Sequence, residues 1–282
     1  MKVLVTGYKG QLGFDVVKCL ESRSIECIGT DRSEFDITNG IQTERFIKGY
    51  APDIVVHCSA YTAVDRAEDE TEACYAVNVE GTRNIAKVCR DINAKMVYIS
   101  TDYVFPGMGE KFYETDDRKA PLSQYGKTKL QGEEAVQSLL HKYFIVRISW
   151  VFGKNGNNFV KTMLRLGKEK EKVSVVSDQI GSPTYTKDLA ELICDMIATD
   201  KYGIYHVTNE GTCSFAEFAE EIFKEAGCTT AVQHIKTSEY PAKAERPLNS
   251  RLSKASLDYN GFKRLPEWKD ALKRYLVEIE NN

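Results

Sequence analysis

Tyr125 and Lys129 stand four positions apart, downstream of Thr101 and of an N-terminal Gly7-x-x-Gly10-x-x-Gly13. Residues of these types can together reduce a carbonyl group. A phenol with an ordinary pKa of about 10 exchanges a proton near neutrality only where a neighbouring cation stabilises its phenolate, and Lys129 supplies that charge. The Thr101 hydroxyl can donate to a carbonyl oxygen as negative charge develops there. Tyr125 and Lys129 must then share one helix face. The residues that follow place Leu130, Ala135, Val136, Leu139 and Leu140 at helical spacing, which predicts that helix. A second pair with the same spacing, Tyr259 and Lys263, encloses Asn260-Gly261, a turn signal that sends its two side chains on different headings.

The elements that position this chemistry are legible around it. Residues 2–6 form a short valine-containing run ended by Gly7, which predicts a buried first strand. After Gly13, the positions of Val16, Val17 and Leu20 predict a helix. A strand, a glycine turn and a helix in this order can hold a dinucleotide pyrophosphate. Glycine takes positive φ and lets the backbone approach closely, while the helix N-terminus offers amides and a favourable dipole. The spacing departs from the G-x-G-x-x-G fingerprint, so the flanking strand and helix carry the reading.

A second strand over residues 25–30 ends at Asp31, about twenty residues past the glycine loop, where a carboxylate accepts hydrogen bonds from the adenosine ribose. Asp31 favours NADH. Arg32, beside it, can pair with the 2′-phosphate of NADPH, so either nicotinamide cofactor is expected. Asp36 and Ile37 are candidate adenine contacts. A third strand, 53–58, leads into Ser59, Ala60, Tyr61 and Thr62, along which the cofactor can lie. The fourth, 95–100, delivers Ser100, Thr101, Asp102 and Tyr103 at its carboxyl end, where open parallel sheets bind ligands.

The whole pattern resembles the extended short-chain dehydrogenase/reductase superfamily, and within it the dTDP-4-dehydrorhamnose reductase family. The resemblance is carried by GQLG at 10–13, AYTAVDRAE at 60–68, VN at 77–78, STDYVF at 100–105 and YGKTKLQGE at 125–133. It continues in RISWVFG at 147–153, NFVKTML at 158–164, DQIGSPT at 178–184 and AERPLNSRL at 244–252, and so covers nearly the whole chain. It implies NAD(P)H-dependent reduction of the C4 keto group of a dTDP-4-keto-6-deoxyhexose, in nucleotide-sugar and cell-surface polysaccharide biosynthesis. It also implies roles for individual residues. Tyr125 would be the proton donor, Lys129 its tuner and a ribose ligand, and Thr101 the hydroxyl that polarises the carbonyl. Gly7, Gly10, Gln11, Leu12 and Gly13 would hold the pyrophosphate. Val104 and Trp150 would border the sugar, the alternative for Trp150 being a core position. Arg246 would meet the sugar-nucleotide diphosphate, its alternative being a surface ion pair with Glu245. Some relatives form magnesium-bridged dimers. Here Asp15 could serve as a ligand, but Lys187 stands where a carboxylate is expected, so no metal is assigned; a homodimer remains open.

The rest of the chain fits this reading. A net charge of −3 without a basic stripe argues against nucleic acid, and no apolar run reaches membrane-spanning length. Eight cysteines without a Cys-x-x-Cys pair, several of them in apolar runs, suggest reduced core thiols in a cytoplasmic protein. A first strand beginning at Lys2 leaves no place for a signal peptide. His57, His141, His206 and His234 have no metal-ligand spacing, and His57 and His206 fall in predicted strands. The expected architecture is α/β: a Rossmann-like doubly wound parallel sheet with a small mixed C-terminal substrate-binding lobe. Residues 1–150 would form mainly the cofactor domain and 151–282 mainly the substrate lobe, with the chain crossing back. Strands are expected near Lys2, Ile25, Ile54, Lys95, Phe144 and Val173, with another over 203–207. Two rivals share the scaffold or its remnants. A sugar-nucleotide dehydratase or epimerase is the first, and Tyr103, in place of the glutamate of a dehydratase Thr-Asp-Glu, weakens the dehydratase. A non-catalytic nucleotide-sensing subunit is the second, and the intact Thr101, Tyr125 and Lys129 count against it.

Overall fold

The structure is a computed structural model that describes residues 1–280. The chain begins β1 (Lys2–Thr6), α1 (Gln11–Ser22), β2 (Glu26–Thr30), α2 (Gly40–Tyr50), β3 (Ile54–His57), α3 (Val64–Ala67) and α4 (Thr71–Tyr75). A π-helical turn (Ala76–Gly81) leads into α5 (Thr82–Asp91), β4 (Lys95–Thr101), α6 (Gln124–Leu139) and β5 (Tyr143–Ile148). Next come β6 (Val151–Phe152), α7 (Phe159–Glu169), β7 (Lys172–Val176), β8 (Ile180–Gly181), β9 (Thr184–Tyr185) and α8 (Thr186–Ile197). The chain continues through β10 (Gly203–His206), β11 (Cys213–Ser214), α9 (Phe215–Glu225), β12 (Ala231–Ile235), α10 (Ala255–Tyr259) and α11 (Trp268–Glu280).

Six parallel strands form the central sheet in the order β10-β5-β4-β3-β1-β2. Alternate residues of β1 serve opposite faces, as strand geometry requires. Val3 and Val5 pack with Val16 and Leu20 of α1 and Leu189 and Ile193 of α8. Leu4 packs on the other side with Ile47 of α2, Ile85 of α5 and Val136 of α6. A sheet covered by helices on both faces leaves its carboxyl edge as the ligand-binding edge. The order reverses between β1 and β3: the chain adds β2 on one side of β1 and then returns to add β3, β4 and β5 on the other.

The sixth strand of the sheet is β10, reached by the chain's return through α8. The expected strand at Val173 is present but pairs with β12 in a separate parallel two-stranded sheet. Its sequence explains this: Lys172 and Ser174 are exposed and alternate with buried Val173 and Val175, the pattern of a strand with one wet face. That small sheet and helices α7, α9 and α11 surround a second core of Phe152, Val160, Phe218, Trp268 and Tyr275. His57 and His206 are buried in β3 and β10, as their positions predict, and the eight cysteines are free thiols.

Candidate active site

The glycine loop sits between the end of β1 and the start of α1. Gly7 has φ +69°, and a Cβ there would lie 2.8 Å from the Ser59 backbone nitrogen. A Cβ on Gly13 would lie 2.4 Å from the Gly7 carbonyl oxygen. Both glycines therefore permit contacts that no side chain tolerates. Gly10 is the N-cap of α1 and supplies no capping side chain, which leaves the first-turn amides of the helix open to an anion.

This loop floors one end of a cleft of about 1020 Å³ that runs along the carboxyl edge of the sheet. Gly7, Gly10, Gln11 and Leu12 line that end, with Asp31, Arg32, Asp36 and Ile37 beyond them. Ala60 and Thr62 line the middle, and Thr101, Tyr125, Lys129 and Trp150 the other end. Tyr61 does not line it. Its amide donates to Asn78 Oδ1 at 2.8 Å, and its hydroxyl donates to Glu70 at 2.5 Å on the outside. Asn78, in the π-helical turn, also donates to Thr128 Oγ1 at 3.0 Å, so it ties the 60–62 segment to α6.

Helix α6 starts at Ser123, whose hydroxyl accepts the Gly126 amide at 3.2 Å. Gly126 and Gly132 let the helix lie close to its neighbours: a Cβ on the first would meet the Tyr103 carbonyl oxygen at 2.3 Å, and one on the second the Tyr98 hydroxyl at 2.2 Å. That approach brings Tyr125 and Lys129 to the end of β4. Burial pushes the Tyr125 phenol well above the ordinary tyrosine range, while a hydrogen bond with Thr101 opposes the shift. Tyr125 is therefore protonated at neutral pH.

Lys129 is buried, and its ammonium donates to the Ile99 carbonyl at 2.6 Å, 4.0 Å from the centre of the Tyr98 ring. Burial lowers its pKa to about 7, against the pull of Glu133 one turn further on. Glu133 itself is held by Arg147 through paired bonds of 2.8 and 2.7 Å and by Ser100 Oγ at 2.5 Å. Both side chains of that ion pair are 1% exposed.

Two residues with no assigned role in the sequence reading belong to the site. Asp102 lines the cleft beside Thr101, accepts the Thr101 hydroxyl at 2.9 Å and also accepts the Ser250 hydroxyl. Burial raises its pKa to about 6. The signal was an acidic residue directly after a threonine at the end of a buried strand. Lys9, in the glycine loop, also lines the cleft, and its ammonium pairs with Asp31.

The fold changes two further expectations. Val104 is fully buried with Phe105 and Leu252, behind the wall of the cleft instead of on it, because the short turn after β4 points it inward. Arg246 pairs with Asp65 at 2.5 Å, not with Glu245, and lies 3.4 Å from the Tyr103 hydroxyl outside the lining of the cleft. Its buried Nε has no hydrogen-bond partner among the described residues. Trp150 combines both of its alternatives: it lines the cleft and also stacks on Phe215 at 3.7 Å. The Asp15 carboxylate accepts the Thr186 hydroxyl, and Lys187 Nζ is 3.7 Å from Glu278. An ammonium in that position has the wrong sign for cation ligation, so these residues do not fit a magnesium site.

A doubly wound parallel sheet, a glycine loop with open helix amides and a Thr-Tyr-Lys set at the sheet's carboxyl edge define an extended short-chain dehydrogenase/reductase. The family model for the RmlD substrate binding domain matches residues 1–281. The chain belongs to the dTDP-4-dehydrorhamnose reductase family. It is 37% identical to dTDP-4-dehydrorhamnose reductase of Escherichia coli K12, over 99% of this chain and 98% of that one. It is 43% identical to the spore coat polysaccharide biosynthesis protein SpsK of Bacillus subtilis, over 98% and 97% of the two chains. A crystal structure of dTDP-4-dehydrorhamnose reductase from Bacillus anthracis in complex with NADP is 46% identical, with a TM-score of 0.96 over 99% of this chain and 100% of that one. UDP-glucose 4-epimerase of Thermus thermophilus, at 20% identity and a TM-score of 0.85, shares the fold.

Proposed function

We propose that this protein reduces the C4 keto group of dTDP-4-dehydro-L-rhamnose to give dTDP-L-rhamnose, using NADPH or NADH. The observation that carries the reading is the single cleft that holds the glycine loop and Asp31 at one end and Thr101, Tyr125 and Lys129 at the other. The fit to a dinucleotide rests on the uncapped α1 amides at the cleft and on Gly7 and Gly13, which let the loop fold tightly against Ser59 and onto itself beneath them. A nicotinamide held in this cleft would supply hydride to the carbonyl carbon. Thr101 donates a hydrogen bond to the carbonyl oxygen, and Tyr125 transfers its phenolic proton to that oxygen. Lys129 in its charged form stabilises the phenolate that remains. Trp150, on the wall of the cleft, borders the sugar.

No described helix is long and apolar enough to cross a membrane. We place the reaction in the cytoplasm, in keeping with eight free thiols, and read residues 1–150 as mainly the cofactor domain and 151–282 as mainly the substrate lobe. A homodimer is the assembly to be sought by light scattering. Incubation with dTDP-4-dehydro-L-rhamnose and NADPH or NADH, followed through the absorbance of the reduced nicotinamide, tests the function. Oxidation that depends on the sugar nucleotide is expected; cofactor binding without turnover would instead support a nucleotide-sensing subunit.

A further inference from the structure

The Asp31 carboxylate has both of its oxygens engaged. Oδ1 accepts the Ser33 amide and the Ser33 hydroxyl, each at 2.7 Å, and Oδ2 pairs with Lys9 Nζ. Glu34 closes the turn by accepting the Asp31 amide at 2.7 Å. The other cation of the subsite, Arg32, is 88% exposed and lies 3.3 Å from Asp36. Two carboxylates, Asp31 and Asp36, line this end of the cleft with the cations Lys9 and Arg32, and Glu34, hydrogen-bonded to the Asp31 amide, adds a third negative charge behind them. Without Lys9, a 2′-phosphate would meet a strongly negative site.

The backbone of Lys9 is fixed while its side chain is not. Gly10 donates to the Gly7 carbonyl at 3.0 Å, and Asn155 Nδ2 donates to the Lys9 carbonyl at 2.8 Å. The Lys9 side chain is 60% exposed, and a four-carbon stem can swing its ammonium between neighbouring anions. On the reading of the cleft as a nicotinamide-dinucleotide site, we propose that Lys9 sets cofactor specificity: its ammonium neutralises Asp31 and pairs with the 2′-phosphate of NADP(H), so the site accepts that phosphate although it ends in an aspartate. With NAD(H), the same ammonium stays on Asp31 and the ribose hydroxyls share the carboxylate.

Calorimetry with NADP⁺, NAD⁺, 2′,5′-ADP and 5′-ADP on wild type, Lys9→Gln, Lys9→Arg and Lys9→Gln/Asp31→Asn tests this without turnover. Lys9→Gln should weaken NADP⁺ and 2′,5′-ADP by about tenfold or more and NAD⁺ and 5′-ADP by less than about threefold. Lys9→Arg should keep the wild-type ratio, and the added Asp31→Asn should restore much of the lost NADP⁺ affinity. An unchanged ratio in Lys9→Gln, or equal weakening of all four nucleotides, would overturn the specificity role while leaving the cofactor site intact. Wild type that binds none of the four would overturn the cofactor reading itself and this proposal with it.

Discussion

Thr101 donates its hydroxyl to Asp102 at 2.9 Å, so the proton assigned to the substrate carbonyl is held by a carboxylate when no substrate is present. Ser250 occupies the other Asp102 oxygen, which fixes the carboxyl group in place. Burial makes that carboxyl hard to ionise and raises its pKa to about 6. Above that pH the ionised Asp102 competes for the Thr101 proton and sets a negative charge beside the oxygen on which charge develops. Below it, both effects disappear.

Asp102 should therefore mark the pH profile. As pH falls through about 6, protonation of Asp102 should raise kcat/KM in the wild type. Asp102→Asn, which cannot ionise, should lose that bend and keep the higher plateau. The check is kcat/KM from pH 5 to 8 for both proteins; a bend that persists in the variant would assign the titration to another group.

Lys129 makes a prediction about stability. Its folded pKa of about 7 lies below the ordinary lysine value of 10.5, so between these values the unfolded chain binds more protons and the folded state gains stability as pH rises. Relative to Lys129→Met, the wild type should therefore gain stability between pH 7 and 10.5, with a slope no steeper than about 1.4 kcal/mol per pH unit. Urea midpoints at several pH values measure the difference. Parallel curves for the two proteins would mean that Lys129 stays charged when buried.

The strength of the sequence signals explains which parts of this arrangement could be read in advance. The β1, loop and α1 unit was legible because Val3, Val5, Val16 and Leu20 carry strand and helix periods on either side of the glycines, and all four join one core. Helix α6 was legible for the same reason. The second Tyr/Lys pair separated as its turn signal implies: Tyr259 is 91% exposed, and Gly261 takes φ +67°. Contacts between distant segments were not legible. The partners Arg246 and Asp65, Glu133 and Arg147, and Asp102 and Ser250 are joined by tertiary packing, which no local period encodes. Val104 misled because the preceding residues of its motif line the cleft while the three-residue turn after β4, 102–104, sends it into the core.

The Glu133–Arg147 pair should contribute to stability and, through it, to the placement of Lys129. Glu133→Gln leaves the Arg147 guanidinium buried without its counter-charge, and breaking a buried pair in this way costs about 3 to 5 kcal/mol. Replacing both, as Glu133→Gln/Arg147→Met, should recover part of the loss. Urea unfolding of the three proteins gives the comparison. A single variant within about 1 kcal/mol of wild type would show that water or another group compensates the charge.

Tyr125→Phe removes one oxygen and leaves the ring, whose edge contact with Tyr103 at 5.5 Å is independent of the hydroxyl. The helix, the glycine loop and the Lys129 bond to Ile99 are likewise unaffected. What disappears is the phenolic proton proposed for transfer and the hydrogen bond with Thr101. The variant should bind cofactor as wild type does and lose kcat by roughly 10²- to 10⁴-fold. Tyr259→Phe, at an exposed helix end, is the matched control and should leave both quantities unchanged. Single-turnover rates and cofactor titrations of the two variants separate the chemical step from binding. A Tyr125→Phe enzyme that turned over at the wild-type rate would place the proton donor elsewhere in the cleft, with Asp102, on the other side of Thr101, the first residue to test.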